Sequence, residues 1–322
     1  MWPINSAVTS TIVQDDFFAQ VEKVKNQRFY PRLSQPKTVQ EITTTFESFG
    51  SVPEIRQLSG VSGGGVRQPI ALKDWTVSAT MFEWEQTVPL RRIVAVSKPD
   101  VVRAKTQQLA SKAMKGMDRT FCQALVSANA GYDGQALLST AHPESGTSQS
   151  NLVTGANITT NFVPTAVEAE AMLQSAVSGL KAFQDDQGTP VNEGAERYLV
   201  LCPLPMWIPF KRITDASMSS QSVDSSGGTG VYRGQVDIIA SAYATTTGLP
   251  GGVLDRIFVF IPPSDTDGSA LALATLADWQ FNTNINDEGS DDWNAGWGFL
   301  RSWAAFAYVP WNWSSIMCHI VT

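Results

Sequence analysis

The side chains able to do chemistry in this sequence are few and scattered. Gly60-Val61-Ser62-Gly63-Gly64 fits G-x-S-x-G, the pattern that places a serine nucleophile on a strained strand-to-helix turn, and acidic residues and a histidine follow it in the order such hydrolases use. The turn asks for more than the pattern. A buried strand must lead into the serine and a helix must start directly after it, so that the helix N-terminus helps to hold the oxyanion. Here Gly63, Gly64 and Gly65 follow Ser62, and then Val66-Arg67-Gln68-Pro69, which does not start a helix. The segment reads as a glycine loop, and Ser62 is kept only as a remote nucleophile candidate.

Three further groups invite a site. After Gly228 and Gly230 the next glycine, Gly234, falls one place late for the dinucleotide pattern G-x-G-x-x-G, and no helix follows, so residues 217–230 read as a surface loop. Asn282, Asn284, Asn286, Asp287, Glu288, Asp291 and Asp292 are rich in oxygen, but the calcium-loop pattern needs glycine where Asp287 stands, and a solvated turn is the expectation. His142 stands before Pro143 with no cysteine near it, and His319 is the only other histidine, so a hydrogen-bonded structural role is expected for His142. Cys122, Cys202 and Cys318 are far apart, with no C-x-x-C pair. Neither a metal, nor a cofactor, nor a disulfide framework is expected.

The elements around these residues are clearer than the residues themselves. Phe17, Phe18, Val21 and Val24 share a helical face within residues 15–27, and residues 1–45 read as an extended arm carrying that one short helix. From 46 to 93 a long two-stranded excursion is expected, with β-branched and aromatic residues at 71–87 (Trp75, Val77, Met81, Phe82, Trp84) and the glycines 60–65 at its tip. Such a pair is marginal alone and must pack on something.

The strongest helical pattern covers 99–129: Leu109, Ala113, Met117, Phe121 and Leu125 repeat every four residues, Ser97 and Asp100 resemble a capping box, and Pro99 sits near the first turn. Its length would be on the order of 45 Å. A second helix begins at a full capping box, Thr165 and Glu168, and carries Met172, Ala176, Leu180 and Phe183 on one face. Short strands are expected at 197–201, 236–240 and 256–261, with a helical piece at 206–213, and the aromatic-rich tail 279–320 reads as β.

Composition narrows the class. Of 322 residues, 43% are hydrophobic and only 16% charged, against roughly 25% charged in a soluble domain. Ten Trp and an aromatic fraction of 10% add side chains that favour cores and interfaces, so an oligomer is expected. Met1-Trp2-Pro3-Ile4-Asn5 has no basic region of the signal-peptide kind, and the longest apolar run, 198–210, is too short for a bilayer and holds Pro203 and Pro205, so a soluble protein made in a cytosol is expected, without a membrane partner. The net charge of −7 hides a split: residues 1–130 hold 16 Lys and Arg against 11 Asp and Glu, and residues 131–322 hold 7 against 19. Since the basic residues form no run of five, complementary packing between copies is the preferred reading of that split.

One segment resembles a known family. Tyr132-Asp133-Gly134-Gln135-Ala136-Leu137-Leu138-Ser139-Thr140-Ala141-His142-Pro143, directly after a long helix, is similar to the signature of tailed-phage major capsid proteins, closest to the Mu-like major head subunit. Asn151-Leu152, the capped helix at Thr165, the strand Leu199-Val200-Leu201-Cys202-Pro203, and Gly296 and Trp303 in the aromatic tail follow in the family's order. The signature residues are Asp133, Gly134, Ser139, His142 and Pro143.

The resemblance implies an α+β chain with the HK97-type capsid fold. Its parts would be an N-terminal arm (1–45), an extended β-hairpin loop with flanking strands (46–93), a peripheral domain (94–160) with a long spine helix (99–129), an axial domain (161–275), and C-terminal strands (276–322) returning to the peripheral domain. It implies a structural protein rather than an enzyme: hexamers and pentamers of one chain tiling an icosahedral virion shell around double-stranded DNA held without sequence-specific binding, with portal and decoration proteins as partners. Gly60, Ser62, Gly63, Gly64, Gly65 and Arg67 would form the loop tip that lies on a neighbouring subunit. Some relatives carry a long helical scaffolding segment that is removed on maturation; this sequence opens almost at once on its arm, and a separate scaffolding protein is expected. A nanocompartment shell of the encapsulin kind, enclosing protein cargo, shares the fold and is the alternative.

Overall fold

The structure is a computed structural model, and it describes residues 10–49, 74–144, 147–156, 158, 163–214, 232, 234–263, 268–285, 292 and 295–321. In chain order its elements are α1 (Ser10–Lys25), α2 (Tyr30–Leu33), β1 (Ser34–Thr38), β2 (Thr43–Phe49), β3 (Asp74–Thr80), β4 (Phe82–Arg91), α3 (Arg92–Ser97), α4 (Pro99–Leu125), β5 (Leu152–Ala156), α5 (Ala166–Ala182), β6 (Tyr198–Cys202), α6 (Trp207–Thr214), β7 (Val236–Ala240), β8 (Arg256–Phe260), β9 (Leu271–Thr283), β10 (Trp297–Pro310) and β11 (Ile316–Val321). They gather into two units: Met1–Thr44, Ala79–Phe121 and Leu273–Tyr308 form the first, and Thr45–Ser78, Cys122–Ala272 and Val309–Thr322 the second.

In the first unit, helix α4 is held by its apolar stripe. Val102, Leu109, Ala113, Met117 and Phe121 are buried, and Trp279 Nε1 donates to Met117 Sδ at 3.4 Å. The helix ends at Leu125, where its apolar repeat stops, four residues short of the expected 129, and the turn is closed by Ser127, whose N–H and hydroxyl both donate to the Ala124 carbonyl.

The arm lies along α4. Val13, Phe17, Val21 and Val24 of α1 are buried, and Phe17 stacks on Phe281 with centroids 4.8 Å apart. Arg28 reaches Asp118 at 3.6 Å, and the Tyr30 N–H donates to the same carboxylate at 3.3 Å. The underlying sheet has the order β1-β9-β10-β4, with β4 and β10 antiparallel from Phe82↔Phe306 to Arg91↔Trp297.

Two expectations change here. The two-stranded excursion expected over 46–93 is divided at Met81: β3 pairs with β2, whereas β4 joins the four-stranded sheet, where Trp84 stacks on Phe306. The apparent capping box at Ser97 is also not one. Ser97 ends the separate helix α3, and its hydroxyl donates back to the Ile93 carbonyl at 2.5 Å.

In the second unit, a sheet of order β5-β11-β8-β6-β7 carries α5 and α6 packed against its strands and each other. The pairs β5/β11 and β6/β7 are parallel, while β8 is antiparallel to both β11 and β6. Strand β6 is buried along its whole length, which explains its unbroken apolar sequence. The capping box of α5 forms as its residues dictate: the Thr165 hydroxyl accepts from the Glu168 N–H, and the Glu168 carboxylate accepts from the Thr165 N–H. At the C-terminal end of α5's buried face, Gly179 leaves room for the thioether of Met317, which a β-carbon there would overlap.

Candidate functional site

The signature segment builds a closed polar cluster inside the second unit. A turn starts it: the Gly131 N–H donates to the Gln135 carbonyl, Gly134 adopts φ +78°, which favours glycine, and Asp133 Oδ1 accepts the Gln135 N–H at 3.0 Å. This turn aims the other carboxylate oxygen inward, where Asp133 Oδ2 lies 2.5 Å from His142 Nδ1. The two side chains are 1% and 0% exposed, so the pair has no contact with solvent.

Asn151 sets the direction of the bonds around it. Its Nδ2 donates to the carbonyls of Leu137 (2.7 Å) and Trp313 (3.0 Å), which can only accept. Oδ1 is therefore the atom that accepts the Ser139 N–H at 2.9 Å and faces His142 Nε2 at 3.2 Å. Both ring nitrogens then face oxygen atoms, Asp133 Oδ2 at Nδ1 and Asn151 Oδ1 at Nε2.

The indole of Trp313 closes one side of the imidazole, with centroids 4.2 Å apart and planes 3° from parallel, and Phe183 meets that indole edge-on at 5.0 Å. Beside the ring, His142 and Gln149 exchange both backbone hydrogen bonds, and the Gln149 side chain exchanges two more with the backbone of Gln184. Tyr132 donates to Glu144 at 2.6 Å; burial pushes both groups above their ordinary values, with the Glu144 charge adding to the shift of Tyr132.

This is a pin, not a reaction centre. A base must reach the proton it takes, and His142 is enclosed by Asp133, Asn151 and Trp313. The other histidine, His319, is 2% exposed on β11, and Cys122, Cys202 and Cys318 are all buried. Among the described residues no group of three or more His, Cys, Asp or Glu could hold a metal ion, and no helix is long and apolar enough to cross a membrane.

Of the signature residues, the structure brings Asp133, Ser139 and His142 into the cluster, puts Gly134 at its turn and leaves Pro143 exposed. Gly60, Ser62, Gly63, Gly64, Gly65 and Arg67 lie outside the described residues, as do residues 217–230 and residues 286–291 of the oxygen-rich stretch. Asn284, at the near end of that stretch, accepts the Phe299 N–H at 2.7 Å. Asn151 and Trp313 are the members that residue type alone did not single out. Asp133, His142 and Asn151 stand at equal steps of nine.

No family model matches the chain, and no curated protein matches it either. Solved structures do. The mature capsid of bacteriophage PhiM1 aligns over 91% of this chain and 87% of its own, with a TM-score of 0.58 at 12% identity. The capsid of cyanophage P-SCSP1u aligns over 91% and 88%, with a TM-score of 0.57 at 11% identity. The virus-like particle of Pyrococcus furiosus aligns over 96% and 98%, with a TM-score of 0.55 at 8% identity. At such identities the likeness establishes fold: α+β, of the HK97 type.

Proposed function

We propose that this chain is a major capsid protein of a tailed phage, nearest to the Mu-like major head subunit by its 132–143 signature, and that it assembles as hexamers and pentamers into an icosahedral shell around double-stranded DNA. The observation that carries the reading is the near full-length match to capsid subunits on both sides of the alignment. The buried pin agrees with it, since its residues are used to hold loops together. A separate scaffolding protein, a portal and decoration proteins are the partners this reading entails, and the loop tip at residues 60–67 would lie on a neighbouring subunit.

Stability of such a shell comes from many modest contacts closed at once. Part of it is electrostatic in this reading, with the positive first part of the chain meeting the negative remainder of a neighbour. Capsomer dissociation measured from low to high salt tests that idea, because exposed charges are screened within about 10 Å at 0.1 M; a flat response sinks it.

A nanocompartment is the second reading, favoured by the coverage of the Pyrococcus furiosus virus-like particle. Negative-stain imaging of purified protein, followed by nuclease treatment and extraction, decides between them. Closed particles with protected DNA support the capsid; particles with protein cargo and no DNA support the nanocompartment; the absence of particles with every partner co-expressed overturns both.

A further inference from the structure

Helix α4 uses only one side for the core, and the opposite side is chemically uniform. Lys98, at the residue preceding the helix, is followed at steps of seven by Lys105, Lys112 and Arg119, and Lys115 lies one turn from the last two. Steps of seven drift by only about 20° around an α-helix, so these cations form one stripe. All five are exposed. At about 1.5 Å per residue the stripe is roughly 31 Å long, with a cation row about every 10 Å.

The charge on this stripe has no counterpart. Among the described residues none of the five is in an ion pair, and Lys105 donates only to the neutral Gln108 side chain. Residues sharing that face are Val101, Gln108 and Gly116; Asp100 lies about a third of a turn away, and Asp118 is buried with Arg28 and Tyr30. The helix's own Arg103 sits on another flank and is paired with Asp16 at 3.3 Å.

What fits such a surface is decided by what it lacks. A face that packs on another protein has an apolar centre and is depleted of lysine. This face has four lysines, an arginine and a single apolar side chain of any size, Val101. A nucleic-acid surface is instead polar and strongly positive, and a duplex offers one phosphate per strand about every 3.4 Å along its axis, with no positive group between. We propose that the α4 stripe is a sequence-independent contact for the phosphate backbone of double-stranded DNA. The inference rests on the capsid reading above for the presence of DNA, but its chemistry rests on the stripe.

The test uses the full-length chain as unassembled subunits and a fluorescent duplex of arbitrary sequence, with binding followed by anisotropy from 50 to 200 mM salt. The combined variant Lys105→Gln, Lys112→Gln and Arg119→Gln is compared with Lys181→Gln, Arg197→Gln and Arg212→Gln, which removes the same charge from exposed positions elsewhere. Each lost phosphate contact lowers the salt slope by about 0.9, so the stripe variant is expected to lose between two and three units of slope and at least tenfold in affinity, while the control loses less than twofold. Matching thermal melts confirm that both variants fold. Equal losses in the two variants, reducing the effect to net charge, overturn the proposal. So does a stripe variant that keeps its DNA affinity but fails to assemble, which would make the stripe a contact between copies. DNA-filled particles combined with an unchanged slope reject this inference alone, whereas particles without DNA reject the capsid reading itself.

Discussion

The imidazole of His142 lies flat on the indole of Trp313, planes 3° apart, so that a loop following the spine helix is fastened to a residue near the end of the second unit. Stacking supplies only part of the hold. A stacked aromatic pair adds about 0.5–1.5 kcal/mol beyond the area it buries, and the larger share comes from the buried bonds to Asp133 and Asn151.

Replacing His142 with Phe keeps the stack and strands the Asp133 carboxylate in the interior. Breaking a buried pair by removing one partner costs about 3–5 kcal/mol, and urea unfolding of the purified chain should show a loss of that size. Asp133→Asn retains an acceptor and should cost less. A His142→Phe variant within 1 kcal/mol of wild type, on the order of the net value of one ordinary hydrogen bond, would show that the pin holds nothing.

His319 makes acid a specific threat to the second unit. Neither ring nitrogen has a hydrogen-bond partner in the structure, and burial lowers its pKa from 6.5 to about 4. The folded state therefore binds this proton less readily than the unfolded chain: stability is full above pH 6.5 and falls as pH drops towards 4. The loss amounts to about 3 kcal/mol over that window. His319→Leu should flatten the decline; a variant that loses stability in parallel with wild type would show that another group is responsible.

Asp118 has the opposite sign. Burial, opposed by the Tyr30 N–H and by Arg28, raises its carboxyl from 3.8 to about 6. The first unit should then gain stability as pH falls from 6 towards 4 and lack that contribution above 6, a difference of about 3 kcal/mol. Asp118→Asn keeps an acceptor for Tyr30 and removes the titration. The stability difference between variant and wild type, in which other groups cancel, should change across pH 4–6; a constant difference would rule Asp118 out.

Two glycines should respond in opposite directions to alanine. Gly248 has φ +66°, and a β-carbon there would meet the backbone of Cys122 and Gln123 at 2.6 Å, so Gly248→Ala should cost more than about 2 kcal/mol. Gly116 lies within α4 with nothing within 4 Å, and Gly116→Ala should stabilise by up to about 1 kcal/mol. Thermal melts of the two variants provide the check, and shifts in the same direction would contradict it.

Legibility followed the distance between interacting residues. The cap of α5 was readable because Thr165 and Glu168 satisfy each other within a single turn, and β6 because burial on both faces leaves an unbroken apolar run. Helix α3 was hidden: Ile93 and Val96 are exposed, which blurs its periodicity, and Ser97 with Asp100 imitates a cap while the serine bonds backwards. The polar cluster was half visible, with Asp133 and His142 in the signature. Trp313 belongs to a segment that meets them only after the sheet has formed, and no local pattern records such a meeting.

The placement of β11 has a consequence for timing. It sits between β5 and β8, so the strand that leaves the ribosome after all the others in its sheet is an internal one. Until residues 316–321 emerge, β5 has no partner in the sheet, β8 presents an open edge, and the Trp313 cover of His142 has only just been made. Completion of the second unit is thereby tied to completion of synthesis through β11, and chains broken off earlier are left with an unfinished sheet.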